Sequence, residues 1–315
     1  MRLRILGSAA GGGFPQWNCA CPNCVEVRAE VRRGSAPNAP NARMRARTQD
    51  AMALEVAPGL WFLIEASPDV HRQIEACPDL QPRSGRATPI HGVVLLNGDL
   101  DHVLGLFSLR ENTPLVLHAT ETVWRGLAGE NRMIRTLQRF PGQLVWKRLE
   151  LEKPAELTGP DEQPTGVTIL PVALPGKVPK HLEGLSADSP EDNIGLWIHD
   201  ARTGKRAVIA TAAGATGDYV QRLDGVDACL FDGTFWSSDE LVRLGLGTAR
   251  AEDMAHLPIG GPHGSLARFA GVTARRRIYT HINNTNPILV EGSPERRAVT
   301  DAGWEVAEDG LEIAL

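Results

Sequence analysis

His91-Gly92-Val93-Val94-Leu95-Leu96-Asn97-Gly98-Asp99-Leu100-Asp101-His102 is the stretch that decides the fold. Its first half is a short apolar run closed by Asn-Gly, which reads as a buried strand ending in a turn. A helical run, 103–109, follows at once. Strands that pass straight into helices build α/β proteins, and side chains at the carboxyl end of such a strand converge on a crevice. Asp99, Asp101 and His102 stand at that point with two hard oxygens and an imidazole, a metal-binding set. The plainer reading is a helix cap, in which an aspartate accepts backbone N–H bonds and His102 occupies the first turn.

Two more strand ends weigh against capping alone. Cys229-Leu230-Phe231 runs into Asp232-Gly233-Thr234-Phe235, and the strand ending at Thr280 runs into His281-Ile-Asn-Asn-Thr-Asn-Pro287. Each delivers a ligand type where the chain leaves the sheet. The expectation is that Asp99, Asp101, His102, Asp232 and His281 meet at one point.

Working outward, β-branched or aliphatic runs predict strands over 3–6, 53–56, 60–65, 92–96, 115–118, 167–172, 195–199, 207–211, 229–232 and 277–281. Helical patterns cover 68–76, 102–109, 120–139, 217–223 and 294–301. Closely spaced strands early in the chain suit hairpins and later ones alternate with helices, so two sheets covered by helices are expected rather than a barrel. No internal repeat and no Gly/Ser/Pro-rich linker divides the chain, and 1–315 reads as a single domain. Segment 28–47, with six arginines, Pro37 and Pro40, and the acidic, proline-containing 153–164 read as surface loops. A sharper reading makes the first a cationic lid over an acidic substrate or partner.

With 42% hydrophobic residues in 315 and 32 glycines, the chain can bury a large core and turn often. A net charge of -5, spread along the chain, provides no cationic face for a nucleic-acid backbone. Apolar runs fall far short of the roughly 20 residues that span a bilayer. The Gly11-Gly12-Gly13 run interrupts any secretory signal, so a cytoplasmic location is expected.

Three of the five cysteines crowd into Cys19, Cys21 and Cys24, a spacing that lets one loop wrap a structural zinc ion with a fourth ligand from elsewhere. The plainer reading is three small side chains in a tight loop. Gly11-Gly12-Gly13 lacks the Lys-Ser/Thr of a phosphate loop and reads as a tight backbone passage beside the metal centre. Trp17 and Trp236 are candidates for the pocket wall or, more ordinarily, the core. His71, His91, His118, His181 and His199 have no partner motif and read as structural, and His263 as a loop residue.

These strand ends resemble the metallo-β-lactamase superfamily, whose defining loop is His-x-His-x-Asp-His; here it is Asn97-x-Asp99-x-Asp101-His102. The resemblance implies a four-layer αββα sandwich. More closely, Leu6-Gly-Ser-Ala-Ala-Gly-Gly-Gly-Phe-Pro-Gln-Trp-Asn-Cys19, the cysteine cluster, Asp232-Gly-Thr-Phe, His256-Leu-Pro-Ile-Gly-Gly and His281-Ile-Asn-Asn-Thr-Asn-Pro are similar to the protein B family of pyrroloquinoline quinone (PQQ) biosynthesis. That resemblance implies a role in PQQ assembly. The role is either an iron-dependent hydroxylase converting the tyrosine of a Glu–Tyr precursor to a catechol, or a non-catalytic carrier of PQQ or its precursor towards the periplasm.

A dizinc hydrolase needs an imidazole-rich shell, which this loop lacks. His102 and His281 with Asp101 or Asp99 make instead the two-histidine, one-carboxylate set of non-haem iron(II) oxygenases, with another divalent metal as substitute. Asp232 is then a further ligand or a hydrogen-bond partner of the ligands. Asp99 and His256 are the candidate catalytic residues; in related phosphodiesterases a histidine in a loop comparable to that of His256 approaches the substrate. The same relatives place a zinc-ligating histidine three positions after the last active-site ligand, where this chain has Asn284. The expected partners are the Glu–Tyr precursor or PQQ, with no nucleic acid and no membrane span. The oligomeric state is left open, a dimer included.

Overall fold

The first strand shows how the sheets are made. In Arg2–Gly7 (β1) the arginines at 2 and 4 stay partly exposed while Leu3 and Ile5 are fully buried, the period of two that a one-sided strand requires. The structure, a computed structural model, describes residues 1–32, 42–129 and 131–315. β1 joins β2 (Ala51–Ala57), β3 (Leu60–Ile64), β4 (Ile90–Val94), β5 (Leu115–Ala119) and β6 (Leu144–Arg148) in one sheet. The second sheet holds β7 (Ala155–Glu156), β8 (Val167–Ala173), β9 (Ile194–Asp200), β10 (Lys205–Ala210), β11 (Ala228–Asp232), β12 (Arg276–Thr280) and β13 (Glu305–Val306). The last strand, β14 (Glu312–Ala314), returns to the first sheet, giving the orders β14-β1-β2-β3-β4-β5-β6 and β13-β12-β11-β10-β9-β8-β7.

Both sheets follow one plan. Pairing is antiparallel up to β3 in the first and up to β10 in the second, and parallel from there to β6 and β13. Parallel strands are covered on both faces, which is why β11, Ala-Cys-Leu-Phe-Asp, is buried at every position. Their carboxyl ends leave the sheet on one side, and that edge carries the loops after β4, β11 and β12.

Three apolar clusters define the layers. Leu3, Ile5 and Phe62 of the first sheet pack against Ile198, Ile209 and Leu230 of the second. On the outer face of the first sheet, Leu63 and Leu117 meet Val70 of α2 (Val70–Glu75) and Val123 and Leu127 of α4 (Glu121–Ala128). On the outer face of the second, Phe231 and Tyr279 lie in one cluster with Cys24 and Val27 of α1 (Pro22–Arg32) and Val299 of the helix Pro294–Asp301. This is the αββα sandwich that the resemblance implied. Replacing Phe231, which is fully buried, by alanine costs about 3–5 kcal/mol on the usual scale for core aromatics.

All ten expected strands are present, with the additional β6, β7, β13 and β14. The last three span only two or three residues, too few for a periodicity. The helix expected over 120–139 is shorter: α4 stops before Gly129, and a 3-10 turn, Arg132–Leu137, starts afresh from Asn131, whose side chain accepts from Met133 N–H. The run 102–109 is an α-turn, α3 (Leu100–Val103), followed by a 3-10 turn, Leu104–Leu109. There Gly105 lies so close to the backbone that a Cβ would meet Ser67 O at 2.1 Å. The expectation over 217–223 is met by a 3-10 turn, Gly217–Arg222.

The arginine-rich loop expectation needs correction at both ends. Residues 28–32 finish α1, with Arg28 hydrogen-bonded back to the carbonyls of Gln16 and Cys19. Arg47 is buried and donates to Ser8 Oγ and Ala307 O. The remainder of the proposed lid, 33–41, lies outside the described residues. Segment 153–164 contains β7 and a 3-10 turn, Pro160–Glu162, so it is not wholly irregular. No helix among the described residues is long and apolar enough to cross a membrane.

Candidate metal centre

After β4 the chain turns at Asn97, whose Oδ1 accepts from Asp99 N–H at 2.9 Å, and α3 then carries Asp101 and His102. Asp99 holds the N-cap position of α3, yet its side chain makes no capping bond. Its Oδ1 accepts instead from Lys180 N–H at 3.2 Å. Asp101 projects from the first turn, and its Oδ2 lies 3.6 Å from His102 Nε2 and 3.7 Å from His281 Nε2. The rings of His102 and His281 stack with centroids 5.3 Å apart. One donor atom from each of these three residues lies within 4.8 Å of the other two, a span that a single ion can bridge. Asp99 lines the same cavity but falls outside this group.

His281 follows β12 with a left-handed backbone, φ 54, an uncommon conformation for a residue with a side chain. Its Nδ1 is 2.8 Å from Thr234 Oγ1. That hydroxyl donates its one proton to Asp232 Oδ1 at 2.6 Å, so it accepts from His281 Nδ1–H. The tautomer is thereby set with the lone pair on Nε2. His281 Nε2 is buried and has no hydrogen-bond partner among the described residues, as expected of an atom that serves a metal.

Asp232 is fully buried and fully engaged. Its oxygens accept from Ala213 N–H at 2.9 Å, Thr234 N–H at 2.9 Å and the Thr234 hydroxyl, and pair with His256 Nδ1 at 2.6 Å. One donor atom each from Asp232, His256 and His281 also falls within 4.8 Å, but four hydrogen bonds already occupy the carboxylate lone pairs. Asp232 orients His256 directly and His281 through Thr234. The ring of His256 stacks on that of His281 at 5.4 Å and lines the cavity.

Two carboxylates stand behind Asp101, His102 and His281. Glu65, immediately after β3 and also left-handed at φ 67, accepts from Leu96 N–H at 2.9 Å. Its Oε1 lies 3.3 Å from His102 Nδ1, within ion-pair reach but not aligned for a hydrogen bond. Asp50 accepts from Thr280 Oγ1 at 2.8 Å. Burial pushes both carboxyls up. For Asp101, burial is outweighed by His102 and His281, which hold its carboxyl well below the usual carboxylate range. His102 is pushed to about 10, because Asp101 and Glu65 overcome the opposing effect of burial. A divalent cation takes the place of these ligand protons, so the acidic ring around the imidazoles is also what a metal requires. Glu65 ends the strand expected over 60–65 and was open to the same strand-end logic; Asp50 precedes a strand and carried no such signal.

Gly11 touches the centre from the N-terminal side. A Cβ there would stand 2.8 Å from Asp101 Oδ2, while Gly12 and Gly13 make the turn at φ 92 and 70. Trp17 is 85% exposed and belongs to neither core nor cavity. Trp236 packs against Gly260, where a Cβ would meet its ring at 2.8 Å. His263 lies in neither metal-capable group, and its backbone oxygen accepts from Arg268.

Cys19, Cys21 and Cys24 form the other metal-capable group. The Asn284 side-chain amide stands over them, its Nδ2 3.1, 3.5 and 3.4 Å from the three sulfurs. The amide N–H groups donate to the sulfurs and so close the open side of the three-cysteine group by hydrogen bonding. The Cys21–Cys24 contact lowers one thiol of the pair and raises the other, so the two sulfurs share a proton that a metal would displace. Asn23 Nδ2 bonds the backbone oxygens of Asn284 and Asn286 at 3.1 and 3.3 Å, clasping the loop that begins at His281. Asn286 Nδ2 ties that loop to Gly233 O at 2.9 Å.

The site opens into a cavity of about 340 Å³. Over residues 60–282 the sequence matches the model of the beta-lactamase superfamily domain. It is 42% identical to the coenzyme PQQ synthesis protein B of Methylorubrum populi over 320 residues, covering 100% of both chains. The crystal structure of Zn2+-bound PqqB from Methylobacterium extorquens superposes with a TM-score of 0.88 at 38% identity, again over 100% of each chain. A diphosphatase of the PhnP family, at 18% identity and a TM-score of 0.65 over 100% of this chain and 97% of its own, shares the fold.

Proposed function

This chain belongs to the coenzyme PQQ synthesis protein B family of the β-lactamase superfamily, and on that premise we propose that it is an iron-dependent hydroxylase of PQQ biosynthesis. The observation that carries the reading is the convergence of Asp101, His102 and His281, one carboxylate and two imidazoles, with Asp232 saturated by other bonds. That donor set belongs to non-haem iron(II) and leaves coordination positions open. When bound, iron supplies the activation of dioxygen.

The chain's own residues do the rest. Thr234 and Asp232 fix the His281 tautomer, and Glu65 places a negative charge 3.3 Å behind His102. His256, pinned through Nδ1 by Asp232, keeps Nε2 available to take the phenolic proton of a tyrosine side chain in the cavity. The cavity walls hold the ring of a Glu–Tyr precursor beside the three ligands. Inserting one oxygen atom into a ring C–H bond and reducing the other to water needs two electrons and two protons, so an external two-electron reductant is part of the reaction.

A dinuclear hydrolase is the weaker reading, because the positions that would supply two imidazoles hold Asn97 and Asp99, and Asp99 is bonded to Lys180. The test is direct. Protein loaded anaerobically with ferrous iron and given a Glu–Tyr dipeptide, a reductant and air is expected to yield the dopa product. Absence of that product, together with tight binding of PQQ, would favour the carrier.

A further inference from the structure

We propose that Lys177, Lys180 and Asn193 form a subsite in the wall of the cavity that reads an amino acid or dipeptide through its carboxylate and its nitrogen. The inference rests on the functional reading above and names how its substrate is held.

The loop 175–180 is built against the metal loop. Lys180 N–H donates to Asp99 Oδ1, and Pro179 packs on Gly98, where a Cβ would lie 3.1 Å from its ring. On the other side Gly176 presses on Asn193, at 2.7 Å from Nδ2 for an added Cβ, and Leu174 N–H bonds Asn193 O at 2.9 Å. Asp99 is thus a positioning residue for the lysine loop. Both lysines line the cavity that holds Asp101, His102 and His281.

Their charges are available. The ammonium of Lys180 makes no hydrogen bond or ion pair among the described residues. Lys177 Nζ contacts Asp253 O at 3.3 Å and Glu183 at 3.5 Å, which leaves one of its three donors. Asn193 supplies the independent observation. It is only 6% exposed, its Nδ2 is committed to Ala212 O, and its Oδ1 is buried with no partner among the described residues. An orphaned buried acceptor is costly, so a wall that keeps one fits a ligand that brings an N–H. Two ammonium groups and one acceptor beside an acidic metal centre match a carboxylate and an α-ammonium or peptide N–H on one small molecule.

Calorimetric binding to the anaerobic metal-loaded protein tests this without turnover. The probes are the Glu–Tyr dipeptide, its C-terminal amide and its N-acetyl form. Lys180→Gln is expected to weaken dipeptide binding about ten-fold, as loss of a charge-assisted bond does. The amide is expected to bind the wild type more weakly but to lose little more in the Lys177→Gln/Lys180→Gln double variant, and both the dipeptide and its N-acetyl form, each of which brings an N–H, to lose affinity in Asn193→Ala. Dipeptide affinity within two-fold of wild type in the double variant, indifference of the wild type to amidation, or no binding at all would overturn the subsite. The hydroxylase reading fails separately, when bound dipeptide gives no dopa.

Discussion

At the scale of single residues, the centre depends on positions chosen for what they leave out. Gly11 allows the N-terminal turn to pass Asp101, and any larger residue drives a methyl group into the carboxylate at 2.8 Å. In a freely moving side chain that clash is cheaply relieved, but a carboxylate oxygen that holds an ion could not move without releasing it. Gly11→Ala is therefore expected to weaken active-site metal binding by about 10–100-fold, the usual cost of disturbing a ligand's support, with little change in the thermal midpoint of the metal-free protein. Metal titration followed by a thermal scan checks both halves. Unchanged metal affinity would show that Asp101 does not ligate. The left-handed backbone of His281 follows the same logic, a local strain held in place by the Thr234 and Asn286 bonds around it.

At the scale of elements, the cysteine knuckle and the loop that begins at His281 form one mechanical unit. The N-terminal loop reaches across to Asn284, three positions beyond His281, and Asn23 clasps the same loop. Cys21→Ser is expected to remove the zinc, lower stability by several kcal/mol, and weaken metal binding at the other site through the loosened His281 loop. Elemental analysis with parallel iron titration reads this, and unchanged iron affinity after zinc loss would separate the two sites. Strand ends were legible in the sequence because parallel strands buried on both faces are continuous apolar runs, and a polar ligand stands out at their exit. That logic picked out Asp99, Asp101, His102, Asp232 and His281, and the structure brings all of these but Asp99 into the two groups that meet at His281. The role of Asp99 was not legible, since its partner Lys180 lies 81 residues away and no pattern announces a side chain bonding a distant backbone N–H. Nor did composition reveal that 28–32 continue a helix, because arginines beside prolines resemble a loop until Arg28 is seen bonded back to Gln16 and Cys19.

At the scale of the whole molecule, two sheets with one connectivity plan face each other across a shared apolar layer, and their parallel halves bring ligand-bearing loops to a common edge. The first sheet supplies Asp101, His102 and Glu65; the second supplies Asp232, His256 and His281. The repeated plan left no trace in the sequence, since packing constrains polarity at each position far more than identity. The buried carboxylates and imidazoles of the seam are held mainly by bonds within their own sheet's loops, Asp232 by Ala213, Thr234 and His256 and Glu65 by Leu96, while Asp50 reaches across to Thr280. The claim on which all of this turns is that Asp101, His102 and His281 hold one ion together. Anomalous diffraction at the iron and zinc edges from anaerobically iron-loaded crystals tests it. An iron peak is expected about 2.0–2.2 Å from one atom of each of those three residues, with a separate zinc peak among Cys19, Cys21 and Cys24. An ion bound by Asp232 and His256 in place of Asp101 and His102, or no ion between the two sheets at all, would contradict it.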